Sequence, residues 1–469
     1  MNQFLDNIDR LFSSLVSLIE QVLFLEVAHF PVIILWLLIG GIFFTLRMGF
    51  ISIIGFLHAV KIALGFYKQN DQVKGEVSSF QALATALSAS IGLGNIAGVA
   101  IAIQMGGPGA VFWMTVAGLL GMSNKFVECT LGVKYRLVNP DGTIIGGPMY
   151  YLSQGLKEMG QETLGKGLAI FYGIAGLGAA IGGGNMFQAN QSFAALAVVV
   201  PAVKDYDWLY GLIVALLVGL VIIGGISRIG VLTSKLVPVM VFFYLLGCSW
   251  VLIANFNAIP AAFGLMFNNA FSLSGMEGGL IGILVQGIRR SAFSNGAGLG
   301  SAAIAHAVAK TKEPVQEGIV SILEPFIDTI IICNVTALVI ITTGMYGESV
   351  GDNISGSTLA AMAFGQVIDW FPFVLVGIIC LFGFSTMITW CYYGEQCWAY
   401  VFGQPSSIIF KVIFLACIFI GSVVSLGAVV DFSDMMLLTL AIPNLLGCLL
   451  LSGKVATLLK EYWQKFPSF

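Results

Sequence analysis

The sequence predicts an all-α integral membrane protein with eleven transmembrane helices, two of them unwound near mid-length. Three observations predict it. Of 469 residues, 58% are hydrophobic and only 10% are charged, and long apolar runs in such a composition belong in a bilayer. The runs are long enough, because about 20 apolar residues span the hydrocarbon core. Finally, the run from Phe80 to Met105, which should be one helix, is cut by Gly92 and Gly94.

That cut organises the chain. Each glycine costs up to about 1 kcal/mol against alanine in a helix interior. Backbone freed from its helix bonds is tolerated at membrane depth only inside protein or against a wet cavity. The word Ser88-Ala-Ser-Ile-Gly-Leu-Gly-Asn95 returns 206 residues later as Ser294-Asn-Gly-Ala-Gly-Leu-Gly-Ser301, with Ser88 on Ser294 and Gly92-Leu-Gly94 on Gly298-Leu-Gly300. The same offset relates Pro108 to Pro314. Two Gly-interrupted spans in corresponding positions of two halves point to a transporter's central site. Close helix packing through small residues is the simpler alternative.

In chain order, residues 10–27 carry an apolar stripe with polar gaps, the pattern of an interfacial helix. Asp6 and Asp9 precede it with no basic region, so no cleaved signal peptide is expected. The first span covers Pro31 to Phe50, and residues 51–66, with His58 and Lys61, are again amphipathic. Ten further spans are expected at 80–105, 109–133, 167–196, 207–225, 231–255, 279–308, 316–343, 371–394, 407–428 and 435–452.

Lysine and arginine set the orientation. Lys61, Lys68 and Lys74, then Lys134, Arg136, Lys157 and Lys166, then Arg228 and Lys235, Lys310 and Lys312, Lys411, and finally Lys454, Lys460 and Lys465 occupy alternate connections. The opposite segments 256–278 and 344–370 have no Lys or Arg, and 197–206 has only Lys204. The N-terminus is therefore expected outside and the C-terminus in the cytoplasm. The second cut span comes five spans after the first, an odd number, so the repeats are inverted. Segments 256–278 and 344–370 are placed to cover the outer mouth.

A net charge of −3 gives no reason to invoke nucleic acid. The eight cysteines show no CxxC pair or metal-type spacing. The histidines, His29, His58 and His306, are far apart and leave little for a metal site or a hydrolase.

A broken helix exposes free N–H groups at one end and free carbonyls at the other. The N–H groups around Gly92-Leu93-Gly94 suit the carboxylate of an amino acid; carbonyls near Ser88 and Ile91, with the Asn95 amide oxygen, suit a small hard cation. Asn185, Gln188 and Ser192 share a helical face in span 167–196, although Gly182-Gly-Gly184 there also reads as a packing strip. Ser385, Thr386 and Thr389 place hydroxyls at mid-membrane with Trp390 beside them, and Asn334 and Thr336 fall mid-span. Membrane hydroxyls also commonly bond to their own helix. Intramembrane charges are Lys125, Glu128, Arg289, Arg290, Glu324 and Asp328, functional candidates by default. Lys125 and Glu128 read as an ion pair; Glu324 and Asp328 read as an inner gate or as partners of Arg289 or Arg290. These carboxylates are expected to lie away from both the first cut and Ser385-Thr386.

At Gly92-Leu-Gly-Asn95, Gly106-Gly-Pro-Gly-Ala-Val-Phe-Trp-Met114, Phe293-Ser-Asn-Gly-Ala-Gly-Leu-Gly-Ser-Ala-Ala-Ile-Ala-His-Ala307 and Phe384-Ser-Thr-Met-Ile-Thr-Trp-Cys-Tyr-Tyr-Gly-Glu395, the chain resembles the alanine/glycine:cation symporters. The resemblance implies the leucine-transporter type of fold: a five-plus-five inverted repeat preceded by one extra helix. The domains are then 1–75 (interfacial helix, extra span, linker), 76–255 (first repeat) and 256–469 (second repeat). It implies sodium-coupled uptake of alanine or glycine across the inner membrane, with sodium as coupling ion and no cofactor. The implied substrate set is Ser90, Gly92, Leu93, Gly94, Gln188, Ser294, Gly298 and Trp390. The implied sodium set is Ser88, Ile91, Asn95, Ser385, Thr386 and Asn334. One position departs: Gly296 stands where the family more commonly carries an acidic residue. A proton-coupled carrier using Glu128, Glu324 or Asp328 is the main alternative. An intramembrane hydrolase lacks a base, since His306 lies beyond the second cut, and a channel is the third reading.

Overall fold

The computed structural model describes residues 23, 25–27, 30–66, 75–140, 142–272, 279–346, 356–424 and 426–466. The expected interfacial helix over 10–27 lies outside them except at its end, where Glu26–Val27 pairs antiparallel with Phe30–Pro31. His29 and residues 347–355 of the segment 344–370 also lie outside.

Among the described residues, seven helices are long and apolar enough to cross a membrane: Gly109–Lys134, Glu162–Val199, Gly225–Ala254, Pro314–Thr342, Phe371–Phe402, Gln404–Val423 and Val429–Lys465. A bent pair, Ser79–Ser90 and Leu93–Gly106, meets at 57° and forms the first broken helix. Two apolar helices are shorter, Val32–Arg47 and Asp207–Ile222. The second broken helix is Gly279–Asn295 followed by Ala302–Ala307. Their outward faces are apolar, with Leu216, Phe242, Ile253, Ile408 and Val412 more than half exposed, as a lipid-facing surface requires.

Local sequence starts and stops these elements. Ser78 and Gln81 form a reciprocal capping box that opens the first broken helix. Pro314 occupies the first turn of its helix, where its missing N–H costs nothing. The last helix, Leu426–Lys465, has 40 residues. At 1.5 Å per residue it is about 60 Å long, twice the bilayer core, so it continues well past the span expected at 435–452.

Two segments expected on the outside carry helices that dock on the bundle. Ile259–Ala270 brings the Asn269 side chain to accept from the Gly109 N–H at 2.9 Å. Ser357–Gly365 begins with a Ser357 N–H that donates to Gln191 Oε1 at 3.0 Å. At the opposite end, residues just before the first broken helix pair with residues just after the second. The Glu76 N–H donates to the Val308 carbonyl at 2.8 Å and the Lys310 N–H to the Val77 carbonyl at 2.8 Å.

Candidate substrate and cation site

The first break opens at Ile91, which caps the first half-helix. The Gly92 N–H donates to Asn95 Oδ1 at 3.1 Å and the Leu93 N–H to Gln188 Oε1 at 3.1 Å. Two donors suited to a carboxylate are thus held by side-chain amides. On the carbonyl side, the Thr386 hydroxyl donates to Ser88 O at 3.0 Å, and the Ser88 hydroxyl donates to Ser385 O at 2.8 Å. Thr389 donates to Ser88 Oγ at 3.1 Å and the Trp390 indole N–H to Ala89 O at 3.0 Å. Ser385, Thr386, Thr389 and Trp390 therefore present one face of Phe371–Phe402 to the break. The Ser385 hydroxyl also bonds its own helix at Phe382 O, 2.9 Å, the local alternative that membrane serines commonly take.

The two broken helices meet at Ser294. Asn95 Nδ2 donates to Ser294 Oγ at 3.1 Å. Ser90, Ser294 and Trp390 line one small cavity with Phe293, Gly296 and Lys125. Its volume is about 10 Å³, room for about one water. The Phe293 ring packs edge-on against Phe187 at 4.8 Å, and the Arg290 guanidinium lies 5.3 Å from its centroid.

Gly298 lies apart from this junction. Its carbonyl accepts from Asn444 Nδ2 at 2.7 Å, and the next carbonyl, Leu299 O, accepts from the Tyr172 hydroxyl at 2.8 Å. Asn444 also donates to Glu128 Oε1 at 2.8 Å and accepts from Tyr151. Asn334 is likewise not in contact with Asn95: its amide bonds Thr115, Thr329 O and Ile330 O.

Several expectations about charge and facing are corrected. Asp328 does not lie away from the first break. It accepts from Ser294 Oγ, and Asn95 Nδ2 donates to its carbonyl at 3.2 Å. Asp328 lies at the start of the π-helical stretch Phe326–Cys333, one turn further along its helix than Glu324, at the level of Ser294 and Asn95. Asp328 turns to Ser294 while Glu324 turns to Lys125, 3.0 Å away, and to His306. Lys125 accordingly pairs with Glu324 rather than with Glu128, which faces Asn444 on the last helix. Arg289 and Arg290 meet Asp434, not Glu324 or Asp328. They precede the second break, whereas the His306 that holds Glu324 follows it. Finally, Asn185 and Gln188 do not act on one face. The π-helix Gly182–Met186 turns Asn185 to Phe414 O at 2.7 Å and Gln188 to the break. The glycine strip also packs: a Cβ on Gly184 would sit 2.3 Å from Trp390 Cγ.

Sequence reasoning missed a buried network. His306 Nδ1 bonds Glu317 at 2.9 Å and its Nε2 bonds Glu324 at 2.8 Å, while Glu317 accepts from Ser79. Cys129 lies close to His306 and Glu324, but both imidazole nitrogens and the Lys125 ammonium already engage the carboxylates, so the group reads as an ion network. Only the i, i+7 spacing of Glu317 and Glu324 hinted at a shared face. Asp434 carried no local signal beyond being an acid in an apolar run.

Helices that part inside an apolar bundle, with polar groups at the gap, are the construction of secondary transporters. The class is that of cation-coupled amino-acid carriers, and the chain belongs to the sodium:alanine symporter family, which it matches over residues 11–468. It is 40% identical over 437 residues to the sodium/alanine symporter AgcS of Methanococcus maripaludis, covering 92% of this chain and 94% of that one. It is 33% identical over 430 residues to the amino-acid carrier protein AlsT of Bacillus subtilis, covering 91% and 88%. The crystal structure of MhsT in complex with L-phenylalanine shares its fold at a TM-score of 0.53 and 12% identity, covering 82% of this chain and 99% of that one.

Proposed function

We propose that this protein imports a small neutral amino acid, alanine or glycine, driven by sodium and working by alternating access in the inner membrane. No bond is made or broken in this cycle. The observation that carries the reading is the junction of Ser88 with Ser385, Thr386 and Thr389 beside Ile91. It gathers neutral oxygens where a half-helix ends, its carbonyls outside the helix ladder and held by side chains, a setting that suits a hard monovalent cation. The relatives named for alanine and for amino-acid transport support the substrate class. In this reading the substrate occupies an enlarged form of the cavity at Ser90, Ser294 and Trp390. Its carboxylate takes the N–H groups of Gly92, Leu93 and Gly94 as Gln188 yields, and Gly298 acts only by shaping the second break. Asn95 belongs to a second cation position whose other member is Asp328 rather than Asn334.

The long helices, the two broken helices and the two short ones supply eleven spans: one extra span in 1–75, then repeats 76–255 and 256–469 in inverted orientation, N-terminus outside and C-terminus cytoplasmic. A zwitterion brings no net charge, so carrying sodium makes uptake electrogenic. Each charge gains about 2.3 kcal/mol per 100 mV, enough for about 50-fold accumulation. The test is uptake of labelled alanine and glycine into proteoliposomes, with and without a sodium gradient and an inside-negative potential. Uptake that needs sodium, rises with potential and persists without a pH gradient is expected.

One observation favours a second reading. Asp328 is buried at the meeting point, and its Oδ2 has no hydrogen-bond partner among the described residues. A carboxylate there suits a proton as coupling ion. If Asp328→Asn abolishes driven uptake while Ser385→Ala/Thr386→Ala leaves the sodium dependence intact, proton coupling replaces sodium coupling.

A further inference from the structure

We propose that the protein holds an anionic phospholipid in a groove between the first helix and the end of the last, its phosphate on Arg47 and Lys460. The groove has a volume of about 570 Å³ and is lined by these two cations, by Trp463, and by Ile51, Ile54 and Leu459. Arg47 ends the helix Val32–Arg47. Gly49 (φ 63°) and Phe50 (φ 57°) then turn the chain through two left-handed residues, so that Ile51–Ile54 and Phe56–Ala63 run away from the first helix. A 2.6 Å bond between His58 Nε2 and the Tyr462 hydroxyl anchors this turn to the last helix. The groove is therefore walled by anchored elements on both sides.

Charge and apolar surface divide the groove as a phospholipid does. Leu46, Ile53, Ile54 and Leu57 are 62%, 72%, 62% and 73% exposed. An apolar face this open, flanking a span, is a surface for acyl chains. The cations sit at its polar margin with Trp463, the residue type that favours the headgroup level. The last helix supplies the contrast. Its Lys454 and Lys465 meet Glu158 and Glu313, whereas among the described residues neither Arg47 nor Lys460 forms an ion pair with a carboxylate. Two cations that meet no carboxylate among the described residues, at the edge of an acyl surface, match one phosphodiester. The leaflet that supplies the lipid follows from the orientation proposed above; the binding itself does not depend on it.

The test is native mass spectrometry of the full chain titrated with phosphatidylglycerol, with phosphatidylcholine as the comparator. At about 1 kcal/mol per cation near an anionic surface, Arg47→Gln or Lys460→Gln should weaken phosphatidylglycerol binding about 5-fold, and the pair about 30-fold. The charge-preserving pair Arg47→Lys/Lys460→Arg should stay within about 2-fold, and Lys166→Gln, an exposed lysine paired elsewhere with Glu162, should change nothing. Melting curves of each variant in the same detergent establish that it is folded. Undiminished binding in the folded double variant, equal affinity for phosphatidylcholine, or displacement of the lipid by inorganic phosphate would each overturn the proposal.

Discussion

The two breaks carry the same Gly-Leu-Gly word and use it for different reasons. At the first, Gly92 is extended (φ −133°, ψ −153°), a conformation most residues adopt. Glycine is needed there for space, because a Cβ would stand 2.6 Å from Thr386 Oγ1 and 3.0 Å from Gln188 Oε1. At the second, Gly298 and Gly300 have φ of 87° and 79°, and the backbone itself demands glycine. The freed groups differ too. At the first break the amide oxygens of Asn95 and Gln188 hold freed N–H groups, the kind of donor a carboxylate could take over. Asn444 and Tyr172 clamp the carbonyls of the second, and Asn444 is itself bound to Glu128 and Tyr151. The proposed transport cycle asks the first break to exchange partners and the second to hold a fixed turn.

The sharpest way to break this comparison is to attack the clamp. Gly300→Ala meets Asn444 Oδ1 at 2.6 Å in a left-handed conformation, and Asn444→Ala strands the Gly298 carbonyl and Glu128. Each should cost about 2–4 kcal/mol of stability, read as a lower melting temperature and lower yield of folded protein. The equivalent changes at the first break should spare stability and strike transport. Ser385→Ala/Thr386→Ala should raise the sodium concentration for half-maximal uptake by about 30-fold, from about 1 kcal/mol per lost oxygen, with melting nearly unchanged. Gln188→Ala should alter apparent substrate affinity by about 10-fold or less, since its Leu93 N–H can be satisfied by substrate or water. If Gln188→Ala instead lowers the melting temperature as far as Asn444→Ala does, the two breaks are equally structural and the comparison fails.

The smallest effect tests the outer support of the clamp. Lys454, ten residues beyond Asn444 on the same helix, binds Glu158, whose carboxyl is held below its ordinary 4.5 by Lys454 and by Tyr135. A depressed carboxyl stabilises the fold above its unfolded pKa and loses that contribution as pH falls through the folded value. The pair is solvent-exposed, so Glu158→Gln should cost less than about 1 kcal/mol near neutral pH. The difference from the parent should disappear in melting curves taken progressively below pH 4.5.

Much of this was legible along the chain. The Gly-Leu-Gly repeat located both breaks, and apolar runs located the helices, because each signal is local. Ser88, Ser385 and Thr386 were nameable through the family resemblance, and they lie together: the Thr386 hydroxyl meets the Ser88 carbonyl, while the Ser385 hydroxyl bonds its own helix. The partner each charge meets was not legible. Asp328 and Glu324 are four residues apart and share a face, yet one turn of depth brings the first to Ser294 and the second to His306. Spacing gives the face but not which neighbour stands at each depth. Asp434 and Asn444 drew no notice because their importance lies wholly in which helix packs against theirs.

The sequence by itself determined that the chain fills a bilayer with helices and that two of them part at matched glycines, since hydrophobicity and backbone freedom are properties of residues and their neighbours. Only the tertiary structure decided which side chains hold the freed backbone groups at each break, where Asp328 and Lys125 find partners, and that Arg47 and Lys460 meet no carboxylate among the described residues. Those outcomes depend on side chains brought together from as far apart as Glu128 and Asn444, 316 residues along the chain, and burial at membrane depth makes each such pairing decisive, because a polar group left alone there has no water to fall back on.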